Sequence, residues 1–286
     1  MSEQDKIPID HLRNWIGRQE RESDCITEAL LQRFKATLGD HTSSTSELSP
    51  EIPPGIHWCL SPPAVSRDEL GTDGHPARGT FLPPVPLPRR MWASSKLLFY
   101  KAPAMTSPVE KISTVTDVTL KQSATSRPLV FVQIDHIYSQ EEQALIEERQ
   151  TIVYREASAY LPPESRPDAP EPAHSITLVP DSTLLFRYSA LTFNGHRIHY
   201  DGEYASQQEG YPGLVVQGPL MATLLMGLAR ATRPGEQLQN FEFRGRAPAF
   251  VDQPLLLCVI DEAAESLEIR NDNGALVMTA SARFAD

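Results

Sequence analysis

The alternation of apolar and polar positions divides the chain into two similar runs. In the first, Ile26, Leu30, Leu31, Phe34 and Leu38 recur at helical spacing, with Asp24 placed to cap the start and Gly39 to end the turn. After a proline-rich passage (50–88), segments 96–100, 113–120, 129–138 and 145–154 are rich in Val, Ile, Phe and Tyr and read as strands. The second run begins with a strand expected over 183–190. Gly218-Pro219 then opens a helix, with proline in its favoured first position. Leu220, Met221, Leu224, Leu225, Met226 and Leu228 cover nearly the whole circumference of that helix, so protein must enclose it. Strands follow at 241–247 and 255–260. A hairpin over 267–282 turns at Asn271-Asp272-Asn273-Gly274. A curved antiparallel sheet around a buried helix satisfies this order; a doubly wound fold, which alternates helices with strands, does not.

Between the runs, 161–173 holds five prolines in thirteen residues and reads as a semi-rigid linker. It predicts domains at 1–160 and 174–286. The whole chain has 286 residues, 40% of them apolar and 22% charged, which is material for two ordinary cores.

A net charge of −11 argues against general attraction to nucleic acid or to an anionic membrane, so an anionic ligand must meet a local cluster of cations. Cys25, Cys59 and Cys258 form no metal or disulfide spacing, which fits a reducing compartment. The opening Met-Ser-Glu-Gln-Asp-Lys lacks the apolar core of a secretory signal, and the apolar stretch 218–229 is shorter than the roughly 20 residues that a membrane span needs. These features predict a cytoplasmic protein.

Common nucleotide, serine-hydrolase and zinc-protease signatures are missing. Chemistry concentrates instead in 188–220, where Asn194, His196, His199, Tyr200 and Asp201 stand close together between core elements. Asp201 reads as a turn former, His57 and the Asp135-His136 pair as structural, and Tyr188 and Phe193 as packing. His196-x-x-His199 lacks a third ligand of convincing spacing, so no metal is expected.

The layout Asn194-Gly-His-Arg-Ile-His199, followed by Gln217-Gly218-Pro219, resembles the MaoC-like hydratases and dehydratases of the hotdog superfamily. In that family an Asp and a His with four residues between them precede the central helix; here Asn194 occupies the acidic position. Three further runs resemble the two-hotdog branch: Leu70-Gly-Thr-Asp-Gly-His75-Pro, 79–92 and 150–155. That branch includes mesaconyl-CoA and itaconyl-CoA hydratases and mitochondrial acyl-thioester dehydratases.

The resemblance implies an α+β double hotdog, with two antiparallel sheets each wrapped around a central helix. The N-terminal copy would be non-catalytic and supply pocket walls. The substrate would be an acyl-CoA, itaconyl-CoA or mesaconyl-CoA in the specific form, with no metal or redox cofactor and with a possible homodimer. His199 would exchange protons, Asn194 would position, and the Gly218 N–H would stabilise enolate charge at the helix start. Arg89, Arg90, Arg244 and Arg246 are candidates for the coenzyme A phosphates, and Arg187, Arg197, Tyr200 and Gln217 for the acyl group. Alternatives are dehydration of longer 3-hydroxyacyl thioesters, thioester hydrolysis, or acyl-CoA binding without catalysis.

Overall fold

A computed structural model describes residues 7–39, 52–123 and 126–285. The hexapeptide read for a signal (1–6) and the beginning of the proline-rich passage (50–51) lie outside the described residues. The N-terminal half contains α1 (Ile9–Leu12), β1 (Gln19–Asp24), α2 (Glu28–Leu38), β2 (Arg89–Phe99), β3 (Val109–Ser123), β4 (Ser126–Gln140) and β5 (Gln143–Arg155). The C-terminal half contains β6 (His174–Leu178), α3 (Ser182–Leu191), α4 (Gly218–Thr232), β7 (Leu238–Gly245), β8 (Leu255–Val259), β9 (Ser266–Asn271) and β10 (Leu276–Phe284).

Among the described residues, the strands form one ten-stranded antiparallel sheet in the order β1-β3-β4-β5-β2-β7-β10-β9-β8-β6. This corrects the expectation of two separate sheets. Strand β2 pairs with β5 on one side and, from Ser94↔Arg244 to Leu98↔Asn240, with β7 on the other. The Lys96–Glu242 ion pair crosses the seam at 3.0 Å. Pairing the two innermost strands satisfies backbone groups that would otherwise be left along two open edges.

The helices are unequal. Ten of the fifteen residues of α4 are buried, and it packs against β7, β8, β9 and β10. Helix α2 buries one face, Leu31, Phe34 and Leu38. Its N-cap is Thr27, whose side chain accepts from the Leu30 N–H, rather than Asp24. Asp24 instead ends β1 and accepts from the N–H groups of Cys25 and Ser61. Gly39 closes the helix with φ +61°, as its lack of a side chain suits it to do.

The strand expected over 183–190 is also corrected, because those residues lie within α3. Asp181 caps it by accepting from the Leu184 N–H, and Leu185, Tyr188 and Ser189 form its buried face. A cap at the right offset and apolar residues spaced by three and four outweigh the β-preferring Thr, Phe and Tyr. Phe193, read as packing, is instead 60% exposed just beyond this helix, with φ +50°. The hairpin turn at Asn271 forms as expected, with the Asn271 side chain accepting from the N–H groups of Asn273 and Ala275.

Among the described residues, no helix is long and apolar enough to cross a membrane. Cys25, Cys59 and Cys258 are free thiols.

Candidate active site

His199 is held at the entrance to α4. Its Nδ1 lies 2.6 Å from the Val215 carbonyl, and the Val215 N–H donates to the Ile198 carbonyl at 2.9 Å. A carbonyl can only accept, so Nδ1 carries the proton and Nε2 is left as a base. Burial pulls this imidazole down to a pKa of about 4, against a smaller opposing effect of the Val215 hydrogen bond. It is therefore neutral near pH 7.

The same segment leads into α4 through Gln217, its N-cap residue. The Gln217 side-chain amide donates to the Leu185 carbonyl at 2.9 Å and to the Ser189 hydroxyl at 3.0 Å. Asn194 is anchored at the same place, its N–H donating to the Ser189 carbonyl at 2.8 Å. The Asn194 Oδ1 accepts from the backbone N–H of His196 at 3.1 Å, so this side chain shapes the loop that carries His196. Gly218 begins the helix beside β2: a side chain there would meet the Trp92 carbonyl at an ordinary 3.9 Å. The first N–H groups of any helix lack intrahelical acceptors, which makes this end suited to negative charge.

The loop 70–76 of the N-terminal half docks directly onto this loop. The Arg197 N–H donates to the Asp73 carbonyl at 2.9 Å, and the Arg197 guanidinium reaches the Thr72 carbonyl at 3.2 Å. Gly74 and Gly195 meet backbone to backbone. A Cβ on Gly195 would stand 2.5 Å from the Gly74 carbonyl oxygen, and one on Gly74 would overlap the carbonyl of Gly195. Gly74 also has φ +85°, a conformation that L side chains rarely adopt.

This contact brings Asp73 and His75 to the histidines. The His75 ring lies 4.2 Å from that of His196, which lies 5.4 Å from that of His199 in an edge-on arrangement. The His75 Nδ1 is 3.2 Å from the Asp73 carboxylate. Burial opposes charge on Asp73, but the bond to His75 and the nearby Arg90 outweigh it, holding this carboxyl below the usual range and ionised. Burial, assisted by Arg90, lowers His75 to about 4; His196 is lowered mainly by burial and then by its neighbouring imidazoles.

Asp73, His75 and His196 also bring three ligating atoms within 4.8 Å of one another, a donor set able to hold a divalent cation. His196 joins that set, and His199, its partner in the His-x-x-His spacing, does not. Its distant members gave no metal spacing in the sequence.

Beside this cluster is a small cleft lined by Asp73, Arg89, Arg90, His196, Glu209 and Tyr211, together with Pro88, Met91 and Ile198. Arg89 forms an ion pair with Glu209 and lies over the Tyr211 ring. Arg90 stands beside Asp73 and Tyr154.

Most of the other proposed contact residues have partners within the protein. Arg197 forks onto Asp201 at 2.7 and 3.1 Å and stacks over Tyr204. Asp201 also accepts from the Tyr204 N–H, so it forms a turn as its residue type suggested. Tyr200 donates to the Gly195 carbonyl at 3.0 Å, and Arg187 reaches the Ala36 carbonyl at the end of α2. Arg244 and Arg246 are both exposed beyond the cleft lining, and Arg246 donates to Thr279.

A second buried polar group surrounds Glu148. Trp58 donates to it at 3.0 Å and Ser95 at 2.5 Å, while the His57 Nε2 lies 3.8 Å away. His136 meets Ser113 and Gln150, and Asp135 pairs with Arg149. These contacts fit the structural reading of His57 and of Asp135-His136.

A family model described as hydroxyacyl-thioester dehydratase type 2 matches residues 55–251. The chain is similar to a mesaconyl-C(4)-CoA hydratase of Chloroflexus aurantiacus, 42% identical over 93% of this chain and 95% of that protein. It is also similar to a mitochondrial hydroxyacyl-thioester dehydratase type 2 of Schizosaccharomyces pombe, 30% identical over 82% of this chain and 88% of the other. Among solved structures, HtdX of Mycobacterium tuberculosis superposes with a TM-score of 0.66 at 17% identity, covering 94% of this chain and all of that one. A double-hotdog protein of the same organism gives 0.56 at 13% identity, covering 94% and 96%. These two likenesses give a hotdog fold.

Proposed function

The chain belongs to the hydroxyacyl-thioester dehydratase type 2 family and is a hydro-lyase, and on that footing we propose that it hydrates mesaconyl-C4-CoA to citramalyl-CoA. In this reading the two halves are hotdog domains joined by the segment 161–173. The C-terminal domain, with α4 as its central helix, carries the reaction in a reducing, cytoplasmic setting.

The observation that carries the proposal is the tautomer of His199. Its Nδ1–H is committed to the carbonyl of Val215, two residues before the Gln217 N-cap of α4, which leaves Nε2 to accept a proton. Adding water to an alkene conjugated with a thioester needs a base for the water proton and a positive field for the enolate oxygen. Nε2 supplies the first, and the first turn of α4, opened by Gly218, the second. In itaconyl-CoA the alkene lies one carbon further out, so an α-proton would have to move before water could add. The direct reaction therefore favours the mesaconyl ester.

In the C4 ester the free carboxylate sits on the carbon that receives water, so a cation belongs close to the base. The cleft beside His196 offers Arg90, since Glu209 already pairs with Arg89. Four charged side chains, Asp73, Arg89, Arg90 and Glu209, line the cleft, a polar surface that suits a charged group better than a fatty chain.

A panel of CoA esters tests this. Mesaconyl-C4-CoA should be turned over with a higher kcat/KM than crotonyl-CoA or longer enoyl esters. Arg90→Gln should erase most of that preference, costing about 1.5–3 kcal/mol or ten- to hundredfold on the dicarboxylate alone. Equal turnover of long unbranched esters would instead support the fatty-chain dehydratase reading.

A further inference from the structure

We infer that Asp73, in the opposite half of the chain from His199, is a positioning residue of the hydration, its carboxylate acting through His75 and His196 to balance the charge that His199 gains. The inference rests on the reading of His199 as the proton acceptor.

The chemistry creates the need. As the water oxygen bonds to the β-carbon, one O–H bond breaks and its proton passes to His199 Nε2, while the alkene electron pair moves onto the thioester oxygen. The enolate then collapses and Nε2 returns the proton to the α-carbon. His199 begins and ends neutral, but between the steps it is an imidazolium in a buried place that opposes charge. A fixed negative charge lowers that barrier.

Two nearby carboxylates are held in ion pairs with arginines, whereas Asp73, with Arg90 standing near it, bonds to a histidine. Asp201 is paired with Arg197 and Glu209 with Arg89. Asn194 carries no charge, and its oxygen accepts from the His196 N–H. The Asp73 carboxylate is hydrogen-bonded to His75 and separated from His199 by two imidazoles with centroid steps of 4.2 and 5.4 Å. The loop that carries it is registered by the Gly74–Gly195 contact and by two hydrogen bonds from Arg197. Asp73 stays ionised throughout and takes no proton.

Asp73→Asn removes the charge but keeps an oxygen for the turn in which the Asp73 Oδ1 accepts from the His75 N–H at 3.0 Å. With mesaconyl-C4-CoA, this variant should lose about ten- to hundredfold in kcat with KM changed by less than about twofold. A second substitution, Asn194→Asp, returns a carboxylate on the other side of His196 and should restore kcat at least about tenfold in the Asp73→Asn background while changing it by less than about twofold in the wild type; equal gains in both backgrounds would overturn the inference.

Near-wild-type kcat for Asp73→Asn, or no recovery in the double variant, would overturn the inference. So would loss of wild-type activity on chelation with recovery on added zinc, because Asp73, His75 and His196 would then be metal ligands. Each of these leaves the hydratase reading standing as long as the wild type hydrates the ester and His199→Gln does not.

Discussion

His199→Gln is expected to lower kcat for hydration by about 10³-fold, within the range that a positioned acid–base group contributes. The fold should survive. A glutamine amide can still donate to the Val215 carbonyl, and complete loss of that bond would cost only about 1 kcal/mol. Steady-state rates and thermal melts on the same preparation separate the two effects. Near-normal turnover would remove His199 from the chemistry.

The wild-type enzyme should also keep its kcat/KM flat well below the ordinary imidazole range near 6.5. Burial lowers both His199 and His75 to about 4, so the proton-accepting form of His199 persists on acidification until the pH approaches that value. A rate profile that instead fell with a midpoint near 6.5 would place the base elsewhere.

Gly74→Ala is the second large effect. Two costs coincide there: φ of +85° strains any L side chain by about 1–2 kcal/mol, and the new Cβ overlaps the Gly195 carbonyl. The overlap is with backbone and cannot be relieved by turning a side chain. The loop 70–76 must then part from 194–197, taking Asp73 and His75 away from His196. A fall in kcat of about a hundredfold is expected, with a modest drop in Tm. Gly235→Ala is the control, since φ is +88° there but nothing lies within 4 Å of the added carbon. That variant should carry the strain alone and keep its kcat. Equal loss in both variants would mean that general destabilisation, rather than the loop contact, sets the rate.

The parts of the molecule that announce themselves in sequence are those whose signal is local. Helix α4 is legible because apolar residues all round a short helix admit one environment, and Gly218-Pro219 marks its start. The hairpin at Asn271 is legible because Asn and Gly suit its turn. Residues 183–190 are ambiguous, since a short apolar run with Thr, Phe and Tyr fits either period; the deciding feature is Asp181, just outside the run. The join between β2 and β7 leaves no local trace, because an inner strand and an edge strand can carry the same alternation.

The site follows the same rule. The spacing of Asn194 and His199 can be read directly, and so can the arginines at 89 and 90. That Glu209 neutralises the first of these depends on a contact across 120 positions. Asp73 and His75 belong to a recognisable motif, yet only the close approach of Gly74 to Gly195 places them beside His196. Two glycines far apart in sequence do not reveal that they touch.

The central claim is that this protein adds water to a coenzyme A ester and leaves the thioester whole. Mass analysis of mesaconyl-C4-CoA incubated with the purified protein tests it most directly, read together with a free-thiol assay. The account predicts a product heavier by one water, no released thiol, and neither change with His199→Gln. Release of free coenzyme A, or an ester of unchanged mass, would contradict it.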